Sequence, residues 1–321
     1  MTDPETTQSA PEEFSFSEFS KLAFYREANS RLVDISEVYK QEKIIDLGCG
    51  TGAITKLILD RMQAARESMQ AAKDGLQGRV QAAKTELHGR VQAAKDGING
   101  KMLAARENVI YAVDHSSTAL KLAMAELGTR REAAIKFVQA EVQQLHTAVR
   151  DQVDAVIYCN SIHYVPDKAS LLTQIRAKLR PGGTLAINTS FFSGPRTPET
   201  DQFLSRWMMR SLRILKREYG MMPDKAKKVE SRKQLSADEY EALLTANGFE
   251  VVRKDTTEFK VPIEGWHHIS GFSDWIEGTM PGVPLEIGRA ALQKGLREVF
   301  DEMRLTAVPR TWLSISAVRA A

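Results

Sequence analysis

Residues 46–52 read Asp-Leu-Gly-Cys-Gly-Thr-Gly, a carboxylate followed by three glycines at alternate positions. The apolar run before them, Ile44-Ile45, marks a buried strand, and the residues from Ala53 onward favour a helix, so the glycines sit in the turn between the two. Glycine is needed there because any Cβ would hold the backbone away from a ligand laid across the end of the sheet. Gly48, Gly50 and Ala53 also satisfy the G-x-G-x-x-A dinucleotide pattern, which leaves the segment ambiguous by itself. Asp46 tips the balance. A carboxylate at the head of the turn can meet the ammonium of a methionine moiety but sits badly beside a pyrophosphate.

Three more residues could do chemistry near the same turn. Asp114 ends the apolar stretch Tyr111-Ala112-Val113 and is followed by His115; alone, it also reads as a helix N-cap. Glu141 and Val142 follow the stretch Phe137-Val138-Gln139, and Cys49 and Cys159 fall where adjacent strand ends need small residues. His163 follows Asn160-Ser161-Ile162. Its imidazole, which changes charge near neutral pH, can take a hydroxyl proton or orient a carboxylate, and it can equally be a histidine bonded to backbone beside the ligand.

Positioning these groups requires an alternating α/β chain. Apolar β runs occur at 43–47, 109–113, 135–139, 155–159 and 184–188, separated by helical patterns, which predicts a doubly wound sheet whose first five strands are parallel. Pro181-Gly182-Gly183 marks a turn between a helix at 168–179 and the fifth strand. Further helical patterns fall near 200–218, 237–247 and 286–303, and β-like runs at 249–253 and 312–318 supply the last two strands. Residues 191–310 are then largely cap, and the part from 261 to 310 covers the ligand crevice. Residues 1–13, acidic and polar, are expected to be disordered. The rest, 14–321, is expected to form one domain, opened by a helix from 14 to about 40.

The segment Asp46–Gly52 resembles the first motif of the class I S-adenosylmethionine-dependent methyltransferases. That resemblance implies a Rossmann-like seven-stranded sheet, mostly parallel with the last strand antiparallel, and S-adenosylmethionine as cofactor. It also implies that Asp114 holds the ribose hydroxyls. Glu141 stands where the family usually has an Asp for the adenine amino group, a departure in side-chain length. Residues 154–165 are similar to the family's fourth motif and 179–185 to the segment leading into its fifth strand, so the resemblance covers 41–190 apart from one insertion. The family's Asn/Asp-Pro-Pro-aromatic motif of amino and nucleobase methylation is replaced by Asn160-Ser161-Ile162-His163, which argues against amide, adenine or cytosine acceptors. His163 and Tyr164 fall where the trans-aconitate and juvenile hormone acid methyltransferases have a similar Leu-His-Trp or Leu-Gln-Trp element. The cofactor set implied is Asp46, Gly48, Cys49, Gly50, Gly52, Asp114, His115, Glu141, Val142, Cys159 and Asn160. Tyr25 and Asn29, on the helix that often folds over the cofactor in this family, and Trp266 and His267 in the cap are further ligand-contact candidates. Packing roles compete for each of them.

Bulk composition narrows the alternatives. Of 321 residues 43% are hydrophobic, enough for a substantial core, and a net charge of +3 does not argue for a nucleic-acid partner. Two cysteines make no disulfide framework, and no Cys/His spacing suggests a metal site. Neither a signal peptide nor a membrane span is apparent, so the expected location is cytoplasmic.

One stretch has no place in an ordinary α/β domain. Between the first helix and second strand runs an eleven-residue repeat, 69–79, 80–90 and 91–101, with partial copies on either side. That period keeps one apolar stripe aligned along a nearly straight helix, here Met69, Ala72, Leu76, Val80, Ala83, Leu87, Val91, Ala94, Ile98 and Met102. Residues 61–107 carry nine Lys or Arg against five Asp or Glu, and their paired glycines make the helix marginal in free water. A basic helix with a narrow apolar stripe is suited to an anionic lipid surface; a self-packing or oligomerising bundle is the competing reading. Taken together, the residues predict methyl transfer to a small, lipophilic acceptor, at a carboxylate or hydroxyl oxygen before carbon. The rivals are a C-methyltransferase, a non-catalytic cofactor-binding protein at a membrane surface, and a NAD-dependent dehydrogenase.

Overall fold

A computed structural model describes residues 18–87, 108–224, 226 and 234–320. In chain order the elements are α1 (Ala23–Ser36), β1 (Lys43–Leu47), α2 (Ala53–Leu87), β2 (Val109–Asp114), α3 (Ser117–Leu127), β3 (Ala134–Gln139), α4 (Leu145–Ala148), β4 (Val153–Cys159), α5 (Lys168–Lys178), β5 (Leu179–Thr189), α6 (Pro198–Tyr219), α7 (Ala237–Ala246), β6 (Phe249–Pro262), α8 (Ile263–Ile269), α9 (Ser273–Thr279), α10 (Leu285–Met303) and β7 (Ala307–Arg319). Seven strands form one sheet in the order β3-β2-β1-β4-β5-β7-β6. The pairs from β3 through β5 are parallel, and β7 runs antiparallel to both its neighbours. This is a Rossmann-like doubly wound fold.

Central strands such as β1 read as continuous apolar runs because helices cover both faces of a parallel sheet. On one face Ile45, Val113, Val156 and Leu185 pack with Leu171, Ile175, Tyr240 and Leu244 from α5 and α7. On the other, Ile44, Ile110 and Ile157 meet Leu32 and Val33 of α1 and Ile58, Leu59 and Met62 of α2. Side-chain caps fix several helix starts. Ser116 accepts from Ala119 N–H, Asp167 from Ser170 N–H and Thr197 from Thr200 N–H, and Ser236 with Glu239 forms a capping box.

Four features differ from the sequence expectations. First, β5 begins at Leu179 and runs through Pro181-Gly182-Gly183 where a turn was expected. Gly182 adopts φ +75°, and the β4–β5 register shifts between Val153 and Ala155. A glycine in the left-handed region absorbs the extra residues as a bulge, so pairing continues on both sides. Second, β6 and β7 are 14 and 13 residues long and outrun β5, from which Thr189 pairs with Leu313. Their projecting halves carry a second core, in which Phe259, Val261, Val308 and Trp312 pack against α6, α8, α9 and α10. The cap expected over 191–310 therefore encloses α7 and β6, which belong to the sheet layers. Third, the opening helix is confined to Ala23–Ser36, since the backbone of Glu37 turns left-handed at φ 51°. Residues 1–17 lie outside the described residues.

Fourth, the repeat does not begin as a separate element. The helix that leaves the glycine turn continues into it as α2, 35 residues and about 52 Å long at the α-helical rise. Its root is buried through Met62, whereas every side chain from Arg66 to Leu76 is exposed, Met69 at 62% and Leu76 at 64%. The later repeats, 88–107, lie outside the described residues. Among the described residues no helix is long and apolar enough to cross a membrane, and no group of His, Cys, Asp and Glu could hold a metal ion.

Candidate active site

The strand order reverses between β1 and β4, so the crevice at their carboxyl ends is the topological switch point of the sheet. Asp46, Asp114, Glu141, Asn160 and His163 all lie at or just beyond the carboxyl ends of β1 to β4. The glycine turn is held in an unusual backbone: Gly48, Gly50 and Gly52 have φ of +67°, +54° and +87°. A Cβ on Gly52 would also lie 2.7 Å from Leu127 Cδ1, so this position excludes a side chain on both conformation and space.

Asp46 is 1% exposed. One carboxylate oxygen accepts from the Thr55 hydroxyl at 2.6 Å, and Oδ1 is buried with no hydrogen-bond partner. Burial first, and the neighbouring Asp114 charge to a lesser degree, push its pKa up to about 7 against the hydrogen bonds from Thr55. An orphaned, buried, half-ionised carboxylate at the head of a glycine turn is the environment a cationic ligand group would relieve, so these residues fit the ammonium of S-adenosylmethionine.

Asp114 ties the turn to β2. Its Oδ2 accepts from Gly50 N–H at 2.8 Å and its Oδ1 from Ser116 N–H at 2.9 Å, while Cys49 N–H donates to the Val113 carbonyl at 3.0 Å. Each carboxylate oxygen retains a lone pair, so Asp114 can brace the loop and still accept from a ribose hydroxyl. His115 is exposed, its Nδ1 3.4 Å from Asp114. Glu141 is exposed at the end of β3 with Val142 half-buried beside it, and Gln139 spans to the His115 carbonyl at 3.2 Å. Cys49 and Cys159 are buried, and burial pushes both thiols far up, so neither serves as a nucleophile.

Asn160 is a junction. With φ 50° it sits in the left-handed region that Asn tolerates better than most residues. Its side-chain amide donates to Asn29 at 3.0 Å, its carbonyl accepts from Trp312 Nε1 at 2.7 Å, and its backbone N–H reaches Asn188. Asn188 in turn donates to Asn29 at 2.9 Å, and the buried Tyr25 hydroxyl bonds to both Asn29 and Asn160. Tyr25 and Asn29 thus pin α1 onto the ends of β4 and β5 through a largely buried polar network whose junction, Asn160, is half-buried. Asn188 and Trp312 carry no motif in the sequence; only the register of β5 against β7 brings them here.

His163 lies in a short turn, Ile162–Tyr164, its Nδ1 3.0 Å from the Thr189 hydroxyl. Its ring lies tilted against Tyr164, with ring centres 4.1 Å apart, and against Phe191, at 5.2 Å. Tyr164 is 47% exposed, so this side of the crevice is aromatic and open. Trp266 and His267 lie on α8 in the cap. Trp266 is buried against Phe203 and Trp207 with Arg310 over its ring, and His267 is half-buried beside His268. Burial, then His268 and Arg297, lower the His267 pKa.

Residues 93–187 match a family model described as a methyltransferase domain. The matched range starts inside the repeat, so the insertion separates it from the glycine turn at 48–52. No curated protein sequence matches the chain. Among solved structures, a protein of Bacillus halodurans C-125 assigned as a methyltransferase is similar at 14% identity and TM-score 0.51, covering 91% of this chain and 99% of the other. The YcgJ protein of Bacillus subtilis matches at 11% identity and TM-score 0.47, covering 92% and 99%. The plantazolicin methyltransferase BamL, solved in complex with a triazolic desmethylPZN analog and SAH, matches at 12% identity and TM-score 0.44, covering 98% and 92%. The first of these likenesses supports the fold.

Proposed function

We propose that the chain is an S-adenosylmethionine-dependent methyltransferase that works at an anionic lipid surface on a small, lipophilic acceptor, at a carboxylate or hydroxyl oxygen; the methyltransferase domain matched over residues 93–187, on this fold, supports the reading. The observation that carries the cofactor half is the unpartnered Asp46 Oδ1 at a turn of three left-handed glycines. When bound, the cofactor supplies an electrophilic methyl group on a sulfonium. Asp46 holds its ammonium, Asp114 its ribose hydroxyls through the lone pairs left by Gly50 and Ser116, and Glu141 lies on the adenine side. Methyl transfer draws mainly on proximity, orientation and exclusion of water, which asks little of a strong base. His163, steadied by Thr189 and two aromatic rings, orients the acceptor oxygen and takes its proton where the acceptor is a hydroxyl.

The exposed face of α2 supports the second half of the proposal, that the enzyme works at an anionic lipid surface. Met69, Ala72 and Leu76 share one side of a helix that leaves the domain, with Arg66 and Lys73 nearby. Thermal shift with S-adenosylhomocysteine against NAD tests the cofactor assignment, since a ligand at a hundred times its Kd stabilises by about 2.7 kcal/mol. A shift with NAD alone overturns it. The carbon NMR shift of the methyl group transferred from a carbon-13-labelled donor then separates oxygen from carbon methylation.

A further inference from the structure

The projecting ends of β6 and β7 enclose a small cavity of about 70 Å³, lined by Phe191, Arg196, Glu258, Trp266, Trp275 and Arg310 among others. The chain has four tryptophans, and three of them surround one guanidinium. The Arg310 carbon lies 5.2 Å from the Trp266 ring centre, 5.6 Å from Trp312 and 5.9 Å from Trp275. Among the described residues no carboxylate forms an ion pair with it, and Glu258 is exposed at the rim. Burial lowers the Arg310 pKa to about 10, which leaves it charged at neutral pH. Arg196, exposed and 3.7 Å from Asp201, adds a second positive charge to the lining.

Two further donors lie in the same walls. Trp266 Nε1 and Trp275 Nε1 are both buried without an acceptor. Buried donors without acceptors are unfavourable, so two orphaned indole N–H groups beside a guanidinium that has no ion pair form a set suited to an acceptor. Indole faces attract a guanidinium without accepting from its N–H donors in the way a carboxylate does, and a planar carboxylate can match those donors bidentately. The cavity also adjoins the His163 side of the crevice, because the ring centre of Phe191, one of its walls, lies 5.2 Å from that of His163.

We propose that the Arg310 cavity is a carboxylate subsite that receives the acidic group of the methyl acceptor. The word acceptor rests on the methyl-transfer reading; the carboxylate site does not. Because all four tryptophans, Trp207 included, belong to this cluster, intrinsic fluorescence reports on it directly. Full-length protein is titrated with hexanoate, with its neutral isostere hexanamide and with hexyl phosphate, while S-adenosylhomocysteine affinity is read separately by calorimetry. Hexanoate is expected to give a saturable change in emission that hexanamide does not give. Arg310→Met is expected to weaken hexanoate at least about tenfold with S-adenosylhomocysteine affinity unchanged. Should that variant fail to fold, Arg310→Lys, which keeps charge and loses the fork, and Trp266→Phe, which keeps the ring and loses the N–H, are each expected to weaken it severalfold. Equal responses to hexanoate and hexanamide, tighter binding of hexyl phosphate, or wild-type affinity in both conservative variants would overturn the proposal. Wild-type protein that binds hexanoate but no S-adenosylhomocysteine would sink methyl transfer and leave the subsite standing.

Discussion

Replacing Asp46 with Asn separates what this carboxylate does for stability from what it does for ligand binding. The folded pKa of about 7 stands above the unfolded value of 3.8. Well below pH 3.8 the group is protonated in both states and costs nothing; as pH rises from 3.8 to 7 the unfolded chain ionises first and the folded state loses relative stability, and above 7 the loss levels off. Integrating the two titrations gives a penalty of about 2 kcal/mol at pH 5 and about 4 kcal/mol at pH 8. Asn cannot ionise, and its carbonyl can still accept from Thr55. Relative to wild type, the ligand-free Asp46→Asn protein should therefore gain about 2–3 kcal/mol between pH 5 and pH 8, read by urea unfolding at both values. Binding should move the other way. An ammonium needs the ionised carboxylate, so wild-type affinity for S-adenosylhomocysteine should rise about tenfold per pH unit up to 7 and level off above it, with a proton released on binding. The variant should bind weakly and lose that slope. A wild-type affinity flat from pH 5.5 to 8.5, or a variant within threefold of wild type at pH 8, would refute the reasoning.

Other predictions follow from the same geometry. Gly52→Ala should cost more than the 1–2 kcal/mol of a left-handed alanine, because its Cβ also meets Leu127 at 2.7 Å, whereas Gly182→Ala, with nothing within 4 Å, should cost about that much alone; thermal unfolding compares the two. His163→Ala should lower kcat about 10²–10⁴-fold with S-adenosylhomocysteine affinity intact if it moves a proton, and chiefly raise KM if it only orients the acceptor. Met69→Asp with Leu76→Asp should leave stability within about 0.5 kcal/mol, since both side chains are exposed, and abolish flotation with phosphatidylserine vesicles. Undiminished flotation would eliminate the lipid-surface role.

Much of the fold was legible because its signals are local. Each of β1 to β4 is a short, largely apolar run, and β1 runs from Lys43 to Leu47 as the pattern predicts. Asp46, the glycines and Asp114 were equally readable, since a turn chemistry and a strand-end carboxylate lie within a few residues of one another. The lengths of β6 and β7 were not, because their projecting halves are stabilised by a cap core assembled from four helices. Nor was the Asn29–Asn160–Asn188–Trp312 network, in which no member has a sequence-local partner. Arg310 escaped for the same reason: its significance lies in tryptophans brought from α8, α9 and β7. The helical period of the repeat was plain, yet its fusion with the cofactor-turn helix was hidden, because periodicity does not report where one helix stops and the next begins.

The polar junction at Asn160 spans 131 residues to Asn29 and 152 to Trp312. Closing loops of that size is among the slowest demands a fold can make. During synthesis, the strands that hold Asp46 and Asp114 can form long before residue 312 leaves the ribosome, but the clasp over them cannot. A nascent chain would thus expose an unlatched crevice until its last strand threads home, and a polypeptide shortened by even that one strand would carry every motif of the enzyme while lacking its keystone.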